Sequence, residues 1–164
     1  MKRFAALFLI FTLSCCFLCG CREDKELTAF NENMTSFYEN ITSIGSAMDA
    51  IDPSSENAVD SMNSCLENML KEFQFLASME IPSQFASVED LADDALEYMQ
   101  EAVRLYAEAY EEDYVSDPFI QAAGENYESA MKRVNYIATL LQGEIPEGAR
   151  IIESDGTEFE PYTE

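Results

Sequence analysis

The sequence predicts an all-α protein, an antiparallel up-down-up-down four-helix bundle with a disordered acidic C-terminal tail. Three observations carry this. Apolar residues recur at steps of three and four through four consecutive stretches of similar length. Short proline-containing connections, Asp52-Pro53, Ile81-Pro82 and Asp117-Pro118, separate those stretches. From Glu144 the helical spacing ends, and Pro146, Gly148, Gly156 and Pro161 lie among acidic residues.

The first helix is expected from Leu27. Leu27, Phe30, Met34, Phe37, Ile41, Ile44, Met48 and Ile51 form the seam of a helix packed nearly parallel to a neighbour. That seam is also long enough for a coiled coil, so a homodimer through the first helix stands beside the bundle as an expectation. Asp52 is placed as N-cap of the second helix, with Pro53 at N1 and Glu56 in the first turn. Val59, Met62, Leu66, Met69, Phe73 and Leu76 carry its seam toward Ile81-Pro82.

A third helix begins at Pro82 or a few residues later, where Ser87 and Asp90 have capping-box spacing with an acid in place of the usual Glu or Gln. It is expected to run to about Val115 and has the widest apolar face. Val88, Leu91, Ala95, Met99, Ala102, Tyr106 and Ala109 form one stripe, with Ala92, Leu96, Val103, Ala107 and Tyr110 beside it. Asp117-Pro118 repeats the cap-and-proline device, and Ile120, Ala123, Tyr127, Ala130, Val134, Ile137 and Leu141 make the fourth seam, closed by Gly143. Rods of about 25 residues are about 38 Å long, and short links between matched rods favour the up-and-down arrangement. The bundle thus occupies residues 27–143. Residues 144–164 form the tail, with Ile151, Ile152 and Phe159 as docking points.

Upstream, Lys2 and Arg3 precede an apolar run from Phe4 to Leu18, the charged and hydrophobic regions of a secretory signal. The run is shorter than the roughly 20 apolar residues that span a bilayer, and Gly20, Arg22, Glu23 and Asp24 close it. Leu18-Cys19-Gly20-Cys21 follows, with a branched apolar residue three before the cysteine and a small residue immediately before it. This segment resembles the lipobox of bacterial lipoproteins, although Ala or Ser is commoner than Cys at position 19. The resemblance implies that residues 1–20 are a signal peptide, that Cys21 becomes a lipid-modified N-terminus carrying diacylglyceryl and acyl chains, and that residues 21–26 are a lipidated tether. Two or more acyl chains hold a protein on its membrane where a single one binds only marginally. The implied location is the outer face of the cytoplasmic membrane in a Gram-positive cell, or the periplasm or outer membrane in a Gram-negative one. Arg22 is not the Asp associated with inner-membrane retention in the latter.

Removing residues 1–20 leaves seven basic against 32 acidic residues, a net charge of -25. So acidic a chain is not expected to bind nucleic acid, where Lys and Arg supply the affinity. The anchor, and no basic patch, would hold it to anionic lipid. Cys65 is the one cysteine beyond Cys21, so no internal disulfide forms; at three residues after Met62 and four before Met69 it reads as a small apolar side chain on a helix face.

The chain has no histidine. That removes the commonest general base, the usual nucleophilic triads and the Glu-x-x-His sites of di-iron bundles. Neither a Gly-x-Ser-x-Gly elbow nor a phosphate-binding glycine loop occurs, so no catalytic residue and no cofactor beyond the lipid is expected. A hydrolase built on paired carboxylates is the residual enzymatic reading.

Two surface features invite binding. Asp90, Asp94, Glu97 and Glu101 recur at steps of four, three and four on the third helix. A solvated face is the plainer reading, and a Ca²⁺ or Mg²⁺ site, which would relieve the like-charge repulsion, is the alternative. Tyr106, Tyr110 and Tyr114 form a ladder nearby; Tyr106 falls in the buried seam, leaving Tyr110 and Tyr114 as partner-binding candidates. The expected function is a lipid-anchored, non-catalytic interaction module at the cell envelope, binding another envelope protein with a basic surface. A cation-responsive scaffold is the alternative.

Overall fold

Four phenylalanines organise the packing in the computed structural model, which describes the backbone of residues 2–110, 115–144, 149–152 and 158–161 and the side chains of residues 25–110 and 115–144. Phe37 and Phe73 are both 0% exposed, and their rings meet edge to face at 5.8 Å. Phe30 stacks on Phe85 at 5.7 Å. These pairs belong to different helices or their connections and seed one core.

The α-helices among the described residues are α1 (Lys2–Asp49), α2 (Ala58–Ala77), α3 (Ser87–Glu108) and α4 (Asp117–Leu141), with a short 3₁₀ turn at Ser83–Phe85. They form an all-α four-helix bundle. Its core joins Phe30, Met34, Phe37 and Ile41 of α1 to Met69, Phe73 and Leu76 of α2, Val88, Leu91, Ala95 and Met99 of α3, and Ala130, Val134 and Ile137 of α4. All of these lie in the predicted seams, as the 3.6-residue period requires. Along α1 and α2 the contacts run in opposite chain order: Phe30 meets Phe85, Phe37 meets Phe73, and Asn40 donates a hydrogen bond to Glu72 at 3.1 Å. Between α1 and α4 the Tyr38 hydroxyl lies 3.5 Å from the Val134 carbonyl.

Phe30, Met34, Phe37 and Ile41, the middle of the α1 seam, are therefore packed inside the chain. A homodimer through that seam would have to open the bundle.

Three element boundaries depart from expectation. Helix α1 begins at Lys2, so the six residues read as a tether continue the helix. Arg22 to Glu26 contain no proline or glycine and consist of residues that tolerate helix. Helix α2 begins at Ala58, five residues later than the Asp52-Pro53 device implies. The Asp52 carboxylate instead accepts from the Ser54 backbone N–H at 2.9 Å and the Ser54 hydroxyl at 2.7 Å, closing a local turn. Helix α3 ends at Glu108, where the expectation was about Val115.

At the end of α4 the sequence signal is realised in full. Gly143 takes φ of 77°, its N–H bonds to the Leu140 carbonyl at 2.9 Å, and the Glu144 N–H bonds to the Thr139 carbonyl at 3.1 Å, a Schellman closure. Beyond it, the tail expected to be mostly disordered holds two short paired segments among its described residues. Strand β1 (Ala149–Ile152) pairs antiparallel with β2 (Glu158–Pro161), with Ile151 opposite Phe159. Isoleucine and phenylalanine favour extended backbone, and Pro161 falls at the last position of its strand, where a missing N–H is tolerated.

Replacing Phe73 by Ala should destabilise the bundle by about 3–5 kcal/mol, because it opens a cavity against Phe37. Replacing Phe75, two residues away and 38% exposed, should change stability by about 0.5 kcal/mol or less. Urea midpoints of the two variants check the contrast.

Candidate functional site

The best-defined polar constellation of the bundle lies between α3 and α4 and centres on Arg133. This side chain is 8% exposed, held where α4 faces α3 by Ala130, Val134 and Ile137 on the same stripe. Its guanidinium carbon lies 4.9 Å from the centre of the Tyr98 ring, a cation–π contact. Its Nε sits 3.6 Å from Asp94 Oδ2 and makes no hydrogen bond. Asp94 itself is half-exposed. A buried cation is thus held by an aromatic face and by the charge of a carboxylate at the bundle surface.

The acidic face of α3 is redistributed by this arrangement. Asp94 turns its charge to Arg133, and Glu101 is gripped by Arg104, whose Nε and terminal nitrogen donate to its two oxygens at 2.7 and 2.5 Å. Arg104 also donates to Glu108 at 2.5 Å. These hydrogen bonds hold the exposed Glu101 carboxyl below its ordinary range and raise Arg104. Asp90 and Glu101 stand about 16 Å apart along the helix axis, whereas Ca²⁺ gathers oxygens at about 2.3–2.6 Å. Among the described residues no three His, Cys, Asp or Glu side chains form a group able to hold a metal ion. The four acids Asp90, Asp94, Glu97 and Glu101 are therefore spread along α3, with Asp94 beside Arg133 and Glu101 bound by Arg104.

Of the tyrosine ladder, Tyr110 is half-buried and packs its ring on Tyr106 at 5.1 Å, so it is engaged within the chain. Burial, followed by the hydrogen bond and charge of Tyr110, pushes the Tyr106 hydroxyl above its ordinary range. Tyr114 lies outside the described residues. So do the side chains of Leu18, Cys19, Gly20 and Cys21, whose backbone belongs to α1. Among the described residues no helix is long and apolar enough to cross a membrane; the side chains of the Phe4 to Leu18 run are outside that set. Cys65 is half-buried on α2, consistent with its place on an apolar face.

Among the described residues the carboxyl groups with displaced ionisation, Asp52 and Glu101, are both exposed and both displaced downwards, Asp52 by its bonds to Ser54. Neither is a proton donor near neutral pH, where general acid chemistry needs a raised carboxyl. Arg133 was missed in the sequence, although Ala130, Arg133 and Ile137 keep the three-and-four spacing of the buried stripe.

Two outcomes follow from these environments. Asp94→Asn should cost more stability than Arg133→Met, because the first leaves a buried cation without its counter-charge while the second replaces it by an apolar side chain of similar length. Thermal unfolding of the two variants decides the order. Burial pushes Tyr38 from 10.0 up to about 12. The folded state therefore favours its protonated form; that stabilisation is intact below pH 10 and disappears as the pH rises through 12. Stability measured across that range should fall less steeply in Tyr38→Phe than in the parent chain.

The chain matches no family model, no curated protein and no solved structure.

Proposed function

We propose that the chain is an exported lipoprotein, anchored through lipid on Cys21, whose bundle is a non-catalytic binding module for an envelope protein with a basic surface. The observation that carries the anchor is Leu18-Cys19-Gly20-Cys21 at the end of a charged and then apolar N-terminal run. The charge of the bundle supports the choice of partner. Its few cations are engaged internally, Arg133 with Asp94 and Tyr98, Arg104 with Glu101 and Glu108, and Lys132 over Tyr136 at 5.8 Å. Among the described residues most of the carboxylates are left without a basic neighbour, a field that attracts and orients a basic protein. The location follows the anchor: the outer face of the cytoplasmic membrane, or the periplasm or outer membrane.

The geometry favours an upright domain. Phe30, the first buried core residue among the described side chains, follows Cys21 by about 13 Å of helix axis. The α2–α3 connection, where Phe85 meets Phe30, is then the end nearer the anchor. The α1–α2 and α3–α4 connections lie at the far end.

The test is expression of the intact precursor beside a Cys21→Ser variant in a bacterial host. The parent N-terminal peptide should carry two or three acyl chains and remain with membranes, and the variant should be neither processed nor acylated. The anchored protein should also capture an envelope partner at low salt and release it as salt rises, since screening shortens from about 30 Å at 0.01 M to about 3 Å at 1 M. A lipid-free N-terminus elsewhere would remove the anchor; an unaltered complex in high salt would remove the electrostatic partner.

A further inference from the structure

At the far end of the bundle all four helices stop short of closing the core. The aromatic packing of Phe30, Phe37 and Phe73 ends, and small side chains, Ala102 on α3 and Ala123 on α4, take the central positions. Around them a half-open cavity of about 210 Å³ remains, walled by Met48 of α1, Met62 and Leu66 of α2, Tyr106 of α3, and Ile120 and Tyr127 of α4. Its lining is almost wholly apolar. Gly124 stands at its exposed side, and a Cβ placed there would meet no atom within 4 Å.

We propose that this cavity binds one small, uncharged apolar molecule, about the size of a benzene ring carrying one or two short substituents. Size comes first: an apolar protein cavity of about 150 Å³ stays dry and takes up benzene, so about 210 Å³ admits a slightly larger body. Chemistry comes next. A charged ligand would lose its hydration to walls that offer almost no hydrogen-bonding surface. Anions meet a further barrier, because the Asp49 carboxylate acts on Tyr127 at the cavity wall and the surrounding surface is strongly acidic.

The wall supplies what an aromatic or short branched alkyl body rewards. Met48 and Met62 bring flexible, polarisable thioethers, and Tyr106 and Tyr127 bring aromatic rings. Every helix contributes, so occupancy ties the four helices together at this end. A lipid on Cys21 is not the occupant, since Met48 lies about 40 Å from Cys21 along the continuous α1. The proposal is therefore independent of the anchor.

The test is a titration of the full chain in lipid nanodiscs with toluene, read on methionine methyl groups carrying carbon-13. The Met48 and Met62 signals should shift and saturate, while those of Met34, Met69 and Met99, buried elsewhere in the core, should stay in place. Partition of toluene into the lipid does not saturate and reports on neither set of methionines selectively. Gly124→Leu should close the open side and weaken binding at least tenfold, with unmoved Met34 and Met99 signals certifying its fold. Gly124→Ala, with a methyl group that leaves the space open, should still bind. Absence of a saturable shift at Met48 and Met62 in the parent chain overturns the proposal by itself, and so does equal affinity in a folded Gly124→Leu.

Discussion

The interlocking of Phe37 with Phe73, both fully withdrawn from water, is the contact on which the rest of the bundle depends. Helix association is nondirectional as long as it rests on area alone. Two large rings meeting edge to face remove that freedom, because sliding α1 along α2 by one turn would drive each ring into a position occupied by another side chain. With the register fixed there, Phe30 falls on Phe85, Asn40 falls beside Glu72, and Met48 arrives opposite Met62. The tightly filled half and the cavity-bearing half of the bundle are consequences of one alignment.

Arg133 shows the other constraint, that a charge within such a core must be accounted for. Its cation is faced by an aromatic ring and by an acid that keeps about half its surface in water, so the carboxylate retains hydration while the guanidinium does not. A pair arranged this way is asymmetric: the cost of desolvation falls mainly on the partner that is more weakly hydrated. The acidic face of α3, read as one row, divides into a member turned inward to α4, a member clasped by Arg104, and others in solvent.

What could be read in the sequence follows from what period and propensity encode. The spacing of Phe30, Met34, Phe37 and Ile41 gives a buried face directly, and Gly143 gives the end of α4 because only a left-handed residue closes that turn. Asp52-Pro53 misleads because a cap is only one of the bonds open to an aspartate, and Ser54 competes successfully for it. The pairing of Ile151 with Phe159 depends on two separate segments meeting, which composition does not record. Arg133 keeps the period of the buried stripe, yet charge argues against burial until Tyr98 and Asp94 are seen beside it. The cavity was legible least of all, since it arises from the joint volumes of residues on four helices.

The uninterrupted course of α1 has a mechanical consequence. A flexible leash would let a tethered domain tumble and sample every orientation, so encounters would be averaged over its whole surface. A helical rod has no such hinge, and an anchored chain of this design would move as a lever that sweeps a cone about its foot, carrying the same end of the bundle outward throughout. Encounter would then be biased toward that end by geometry alone, before any contact is made, and a glycine-rich insertion between Cys21 and Phe30 would exchange that directional reach for rotational freedom without altering a single residue of the core.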